Sequence, residues 1–261
     1  MDLGIKDKLS LVLAAGGGLG GAIAHSLARE GTRVIAADID EEGLSRTVNS
    51  ASAEGLTVTP RTVDLGDVDA LADFVQHVTA EFGPIAILVN NTGGPPPGTA
   101  SDVEPARWRE HFEAMVLSVL RLTDLVLPGM RKDGWGRVIT STSSGVVAPI
   151  SNLGVSNTLR SSLVGWSKTL AAEVGGSGIT ANVVLPGRIA TPRIGALDEA
   201  RAQRESRPIT EVIAESVSSI PVGRYGEPAE YGDVVAFLAS ERASFINGSI
   251  IRVDGGMIPS I

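Results

Sequence analysis

The sequence predicts an α/β fold, a Rossmann-type doubly wound parallel sheet in a single domain. Three observations predict it. Short aliphatic and β-branched runs alternate with longer amphipathic stretches along the whole chain. Gly, Asn or Asp bounds most of the short runs, as strand-to-helix turns require. A run of three glycines separates the first apolar run from the first helical stretch.

The strands are read in order at 9–15 (LSLVLAA), 33–38 (RVIAAD), 56–63 (LTVTPRTV), 85–90 (IAILVN), 136–141 (GRVITS), 179–185 (ITANVVL) and 249–253 (SIIRV). The unbroken apolarity of IAILVN fits a strand covered on both faces. Helical stretches fall near 20–30, 41–53, 67–82, 105–130, 152–175 and 228–239, so that strand and helix alternate as in βαβ units. A helical insertion at about 193–220 carries Ile209, Val212, Ile213 and Val217 at helical spacing. Two readings of it stand: a helix pair packed on the core, or a mobile lid that dries a site by closing. No linker, repeat or low-complexity tract divides the 261 residues, which suit one large domain.

A net charge of −8 argues against a nucleic-acid or anionic-membrane surface. The absence of cysteine excludes disulfides, thiolate metal sites and a cysteine nucleophile. His25, His77 and His111 are scattered, without carboxylates at ligand spacing, so no metal site is expected. The N-terminal apolar run is too short to span a bilayer and lacks the layout of a secretory signal, so the expectation is a cytoplasmic protein.

The glycine turn carries chemistry. Gly16, Gly17, Gly18 and Gly20 lie between the first strand and a helix, and Gly16-x-Gly18-x-x-Gly21 satisfies G-x-G-x-x-G. Glycine there lets the backbone approach a pyrophosphate, which the free N–H groups of the helix start can bind. Asp38 ends the second strand 20 residues beyond Gly18. A carboxylate so placed accepts hydrogen bonds from the adenosine ribose and repels a 2′-phosphate, which predicts NAD in preference to NADP. Arg33, at the other end of that strand, is too distant to offset the repulsion.

These residues, with four further motifs, resemble the short-chain dehydrogenase/reductase family over essentially the whole chain. NNTG (90–93) is similar to the family's N-N-A-G, Asp64-Leu65 to its adenine-contacting pair, and GRVITSTSS (136–144) to the strand ending at its active-site serine. LPGRIAT (185–191) is similar to its P-G-x-x-x-T turn, and 223–256 to its C-terminal helix, strand and D-G-G turn. The resemblance implies a cofactor site of Ala14, Gly16, Gly18, Leu19, Gly20, Asp38, Asp64, Leu65, Asn91, Gly93, Arg160, Pro186, Gly187, Ile189 and Thr191. Within it, Thr191 and the Ile189 backbone would hold the nicotinamide carboxamide. It also implies a dimer or tetramer built through 152–175 and the C-terminal segment, where Ile250, Met257 and Ile258 suit an interface.

The chain departs from that family at its chemical centre. The serine falls on Ser143, but the tyrosine thirteen residues later and the lysine four beyond it are Ser156 and Arg160. No Tyr-x-x-x-Lys occurs anywhere, because Tyr225 and Tyr231 have Ala229 and Val235 four residues on. The family's asparagine, seven residues after Trp108, is Met115, and the first glycine of its cradle is Ala14. A serine is far less acidic than a phenol, and guanidinium cannot lend a proton at ordinary pH. Ser143, Ser156 and Arg160 are therefore the candidate catalytic set, stabilising a developing oxyanion by hydrogen bonds.

Three functions remain open: an NAD-dependent oxidoreductase acting on a small carbonyl, alcohol or imine; a non-redox lyase or aldolase; and a dinucleotide-binding protein without turnover. Substrate contacts are assigned to Asn152, Arg188 and Arg193. Asn152 would orient a water or cap a helix. Arg188 and Arg193 would clamp an anionic group, the rival account being a surface salt bridge to Asp198 or Glu199. His111 is a candidate proton donor one turn before Met115, or a partly exposed helix histidine.

Overall fold

A computed structural model describes residues 1–261. Seven strands form one parallel sheet: β1 (Leu9–Leu13), β2 (Arg33–Asp38), β3 (Val58–Thr62), β4 (Ile87–Asn90), β5 (Gly136–Ser141), β6 (Ile179–Pro186) and β7 (Ile250–Val253). Their order is β3-β2-β1-β4-β5-β6-β7. After β1 the chain builds outward to β2 and β3, then returns to place β4 on β1's other edge. The crevice at the carboxyl ends of β1 and β4 is thus the topological switch point, where doubly wound sheets bind ligands.

The helices are α1 (Gly18–Arg29), α2 (Glu41–Ala53), α3 (Leu71–Phe82), α4 (Pro105–Phe112), α5 (Ser118–Asp133), α6 (Gly154–Val174), α7 (Pro192–Glu205), α8 (Ile209–Ser218) and α9 (Pro228–Leu238). Both faces of the sheet are covered, and the two-residue strand period sorts side chains between them. Val12, Ile87, Val89 and Ile139 join Ile23 and Leu27 of α1 and Val235 of α9 on one face. Leu11, Leu13, Leu88 and Val138 join Val75 of α3, Leu122 and Val126 of α5 and Leu170 of α6 on the other. Burial on both sides explains why IAILVN shows no polar alternation.

Several elements differ in extent from the sequence reading, β1 and β3 each ending short of it. The helix expected from 67 starts at Leu71, because Asp67 Oδ1 accepts from the Ala70 N–H (3.2 Å) and closes a turn there. The single helix expected over 105–130 is two helices joined by a π-turn at Glu113–Leu117. The insertion at 193–220 is a helix pair, split where Ser206 takes a left-handed conformation (φ 49°) ahead of Pro208. Each helix buries part of one face, with Asp198, Ala202, Val212 and Ser216 buried.

Ile258, read as an interface residue, is instead buried in its own chain, whereas Ile250 is exposed. No helix is long and apolar enough to cross a membrane.

Candidate functional site

The site begins at the carboxyl end of β1. The Ala15 N–H donates to Ala37 O (3.1 Å), and the chain then turns through Ala14–Gly18 into α1. Gly18 adopts φ +55°, and a β-carbon on Gly20 would overlap the Ala14 carbonyl. That contact lets α1 sit directly on the strand end, with Leu19 partly exposed between the two glycines. The start of α1 has no side-chain cap and no acidic residue in its first turn. Its first N–H groups, flanked by the exposed Gly17, therefore remain available to an anion. A dinucleotide diphosphate fits this cradle.

Asp38 stands beside it. Its Oδ2 accepts from the Gly16 N–H (2.8 Å) and its Oδ1 from the Asp40 N–H (3.0 Å). The carboxylate is thereby fixed in place, half-exposed, with lone pairs left for ribose hydroxyls. Arg46 lies in the same region but is paired with Asp40 (3.2 Å). Arg33 is tied to Asp7 O and Phe82 O at the opposite end of β2, as the sequence implied.

A cavity of about 310 Å³ runs from Asp38 and Asp64 past Leu65 to Gly93 and Met115. Asp64 Oδ1 accepts from the Gly66 N–H (2.7 Å), which shapes the turn after β3. Asn91 Nδ2 donates to Ala14 O (3.3 Å) and ties β4 to β1 across the switch point. Ile39, Val63 and His111 also line this cavity. His111 is partly exposed on α4 and lines this cavity together with Ala114 and Met115. Ile39 was legible only as the neighbour of Asp38.

The far wall is the turn after β6. Gly187 packs on Asp254, where a side chain would collide, and its N–H donates to Val253 O (2.9 Å). The Arg188 carbonyl accepts from the Gly226 N–H (2.9 Å), and the Ala190 N–H donates to Gly226 O (2.8 Å). In such a parallel bridge the intervening residue's own N–H and C=O point the other way. The Ile189 N–H and C=O are thus turned away from Gly226. Thr191 lies 3.8 Å from a β-carbon placed on Gly18, so Pro186–Thr191 closes over the glycine turn.

At the centre, Ser143 is partly exposed and its Oγ accepts from the Gly145 N–H (3.1 Å). That bond occupies a lone pair and leaves the hydroxyl proton free to point outward. Ser156, on the first turns of α6, is buried. Arg160, one turn on, is buried too. Its Nη2 donates to Thr92 O (3.1 Å) and Gly93 O (3.0 Å), and its Nη1 reaches Ser141 O at 3.5 Å. Burial, with the charge of Arg193 adding to it, lowers its pKa to about 10, so it stays a cation at neutral pH. It braces the ends of β4 and β5 without any carboxylate partner.

Met115 is buried in the π-turn among Val116, Val119, Val155, Leu159 and Leu163. This apolar cluster fills the space between the π-turn and α6. The two tyrosines offer no substitute acid. Tyr231 is fully buried, bonded to Ser141 Oγ (2.8 Å) and donating to Val184 O (3.2 Å). Burial raises its pKa. Tyr225 donates to Asp198 Oδ2 (2.7 Å), and burial raises its pKa as well.

One substrate assignment needs correction, and for a second the alternative does not hold. Arg188 is not a free half of an anion clamp: its Nη1 is paired with Asp198 Oδ1 at 2.5 Å. Asp198 is buried, so the pair is an internal latch rather than the surface bridge considered as the rival. Asn152 does not cap α6, whose N-cap is Leu153. It takes a left-handed conformation (φ 60°), which asparagine tolerates better than most residues, and its carbonyl accepts from the Gly98 N–H (2.8 Å). The side chain that holds this loop is Asn157, whose Nδ2 donates to Ile150 O (2.9 Å). Arg193 does reach the cleft, against Gly94.

Comparison with known proteins agrees with this geometry. Residues 13–258 match the family model described as enoyl-(acyl carrier protein) reductase. The chain is 34% identical over 258 residues to the 3-oxoacyl-acyl-carrier-protein reductase FabG of Salmonella typhimurium, covering 98% of this chain and 99% of that protein. It is 30% identical over 255 residues to the D-beta-hydroxybutyrate dehydrogenase of Cupriavidus necator, covering 97% and 99%. Among solved structures, the L-sorbose reductase of Gluconobacter frateurii, complexed with NADPH and L-sorbose, superposes with a TM-score of 0.93 at 30% identity over the whole of both chains.

Proposed function

The chain belongs to the short-chain dehydrogenase/reductase family, and on that premise we propose that it transfers hydride between NAD and a small carbonyl, alcohol or imine substrate through a proton-transfer site without tyrosine. The observation that carries the proposal is an intact dinucleotide cradle beside a polar centre in which Ser143 and Arg160 keep their places.

Bound nicotinamide supplies the hydride donor or acceptor. The uncapped start of α1 holds the diphosphate, and Asp38 accepts from the ribose hydroxyls. Asp64 and Leu65 would border the adenine, Asn91 and Gly93 the central strand end, and Ile189 and Thr191 would hold the carboxamide. The Ser143 hydroxyl donates to the substrate oxygen, with Ser156 as a second donor from the α6 side. Arg160 keeps a positive field behind them, which favours negative charge developing on that oxygen. Arg160 would also steady the nicotinamide ribose. The proton itself comes from water entering the cleft, because neither serine is acidic enough to ionise.

The preference for NAD rests on Asp38 alone. The L-sorbose reductase structure holds NADPH, so cofactor choice is a point on which this chain would differ from that relative. The reading carries with it a cytoplasmic homo-oligomer, dimer or tetramer. A second reading, binding without turnover, is favoured by one contact: Met115 packs among Val116, Val119, Val155, Leu159 and Leu163 and offers no side-chain hydrogen-bond donor for a water chain beside α6. No contact in the site favours a lyase or aldolase.

The test is a turnover panel of aldehydes, ketones and imines with NADH and NADPH, repeated with Ser143→Ala. Loss of one charge-stabilising donor should slow turnover by about 10²-fold with NADH affinity unchanged. Turnover equal in the variant would contradict the assignment, and NADH binding without any turnover would select the second reading.

A further inference from the structure

Helices α7 and α8 and the turn before them contain five basic residues: Arg188, Arg193, Arg201, Arg204 and Arg207. Four are ion-paired. Arg188 holds Asp198, Arg201 holds Glu205 and Glu215, Arg204 reaches Glu205, and Arg207 holds Glu205, Glu211 and Glu215. Arg193 has no carboxylate at all, although the same helices are rich in glutamate. Its only polar contact is a long one, Nη1 to Gly94 O at 3.5 Å, which engages one of five N–H donors.

Its position gives that freedom a direction. Arg193 is the second residue of α7, just after Thr191, which closes over the glycine turn. From there its exposed side chain reaches Gly94 and lies so close that a β-carbon there would overlap the guanidinium. Arg160, from the opposite wall, binds the carbonyls of Thr92 and Gly93. Two guanidinium groups therefore sit on three successive carbonyls, 92 to 94, with no acid beside either. The side of Gly93 is open: a β-carbon there would meet nothing within 4 Å. At the other end of the cleft stand Asp38 and Asp64. The cavity mixes apolar walls, among them Val63, Leu65 and Met115, with the acids Asp38 and Asp64, and the two cations stand beside its Gly93–Gly94 edge.

We infer that Arg193 is the anion-binding residue of the substrate site and that the substrate carries a carboxylate. This rests on the cofactor reading above and names the substrate class for it. The diphosphate is the other anion that could use such a cation, but the uncapped start of α1 already serves it. With Arg188 locked to Asp198 and Arg160 buried on the carbonyls of Ser141, Thr92 and Gly93, Arg193 is the cation left to take the charge, and a planar guanidinium can take a carboxylate through two parallel bonds.

The experiment titrates the protein–NAD complex with pyruvate, 2-oxobutyrate and acetoacetate and with the ethyl ester of each, in wild type, Arg193→Gln and Arg193→Lys. At least one acid should bind wild type and bind R193Q about tenfold or more weakly, with R193K between them. Its ester should bind all three proteins alike, and the Kd for NAD should stay within about twofold, less than one hydrogen bond's effect. Equal binding of every acid by wild type and R193Q would overturn the inference, as would esters binding as tightly as acids. A weakened Kd for NAD in R193Q would assign the cation to the diphosphate and overturn it equally. Wild type that fails to bind NAD would instead overturn the cofactor reading on which the inference stands.

Discussion

Ala14 sits at φ 47°, a left-handed conformation in which a β-carbon is crowded, while its carbonyl accepts from Asn91 Nδ2 and lies against Gly20. Left-handed geometry costs an alanine about 1–2 kcal/mol. Glycine would remove that cost while adding about 0.4–1 kcal/mol of unfolded-state freedom. The difference predicts that Ala14→Gly stabilises the protein by roughly 0.5–1 kcal/mol. A urea midpoint that stays fixed or falls would show that Ala14 is not strained. Here the sequence supplied the identity and the structure the consequence: Ala14 was readable as a missing glycine, its backbone angle was not. Arg160 is a sharper case. Its position four residues after Ser156 marked it for the cofactor, but only the folded chain brings it under the carbonyls of Thr92 and Gly93, nearly seventy residues away in sequence.

The helix pair α7–α8 is held to the body by one polar knot. Asp198 accepts from Arg188 in the turn after β6 and from Tyr225 ahead of α9. Asp198→Asn keeps the shape and removes the charge, leaving a partly buried guanidinium unpaired. A fully buried pair broken this way costs about 3–5 kcal/mol, and the partial exposure of Arg188 reduces that to about 2 kcal/mol here. Hydrogen exchange should accelerate in α7 and α8 ahead of the sheet, and unchanged exchange would remove Asp198 as the latch. Periodicity placed this insertion as helix, but of Ile209, Val212, Ile213 and Val217 only Val212 is buried, and Ile209 and Ile213 are exposed. It could not pair Arg188 with Asp198, because ten residues of separation carry no directional signal until the turn and helix are built. The π-turn at 113–117 was invisible for a related reason: one inserted residue leaves the apolar pattern of a helix intact over the length of a window.

For the molecule as a whole, the parallel sheet, its two covered faces and the switch-point cleft followed from strand patterning and one glycine turn, since a buried strand and a phosphate cradle each demand particular residue types. The substrate end was less legible, because it is assembled from α6, the turn after β4 and the start of α7, whose contacts depend on tertiary packing. The central claim is that this assembly is a cradle for an adenine dinucleotide in a chain that contains no Tyr-x-x-x-Lys. Calorimetric titration of the folded protein with NAD and with NADP tests it most directly. Binding of NAD about tenfold or more tighter than NADP is the predicted result, through the charge of Asp38; no heat from either coenzyme at millimolar concentration, or tighter binding of NADP, would contradict it.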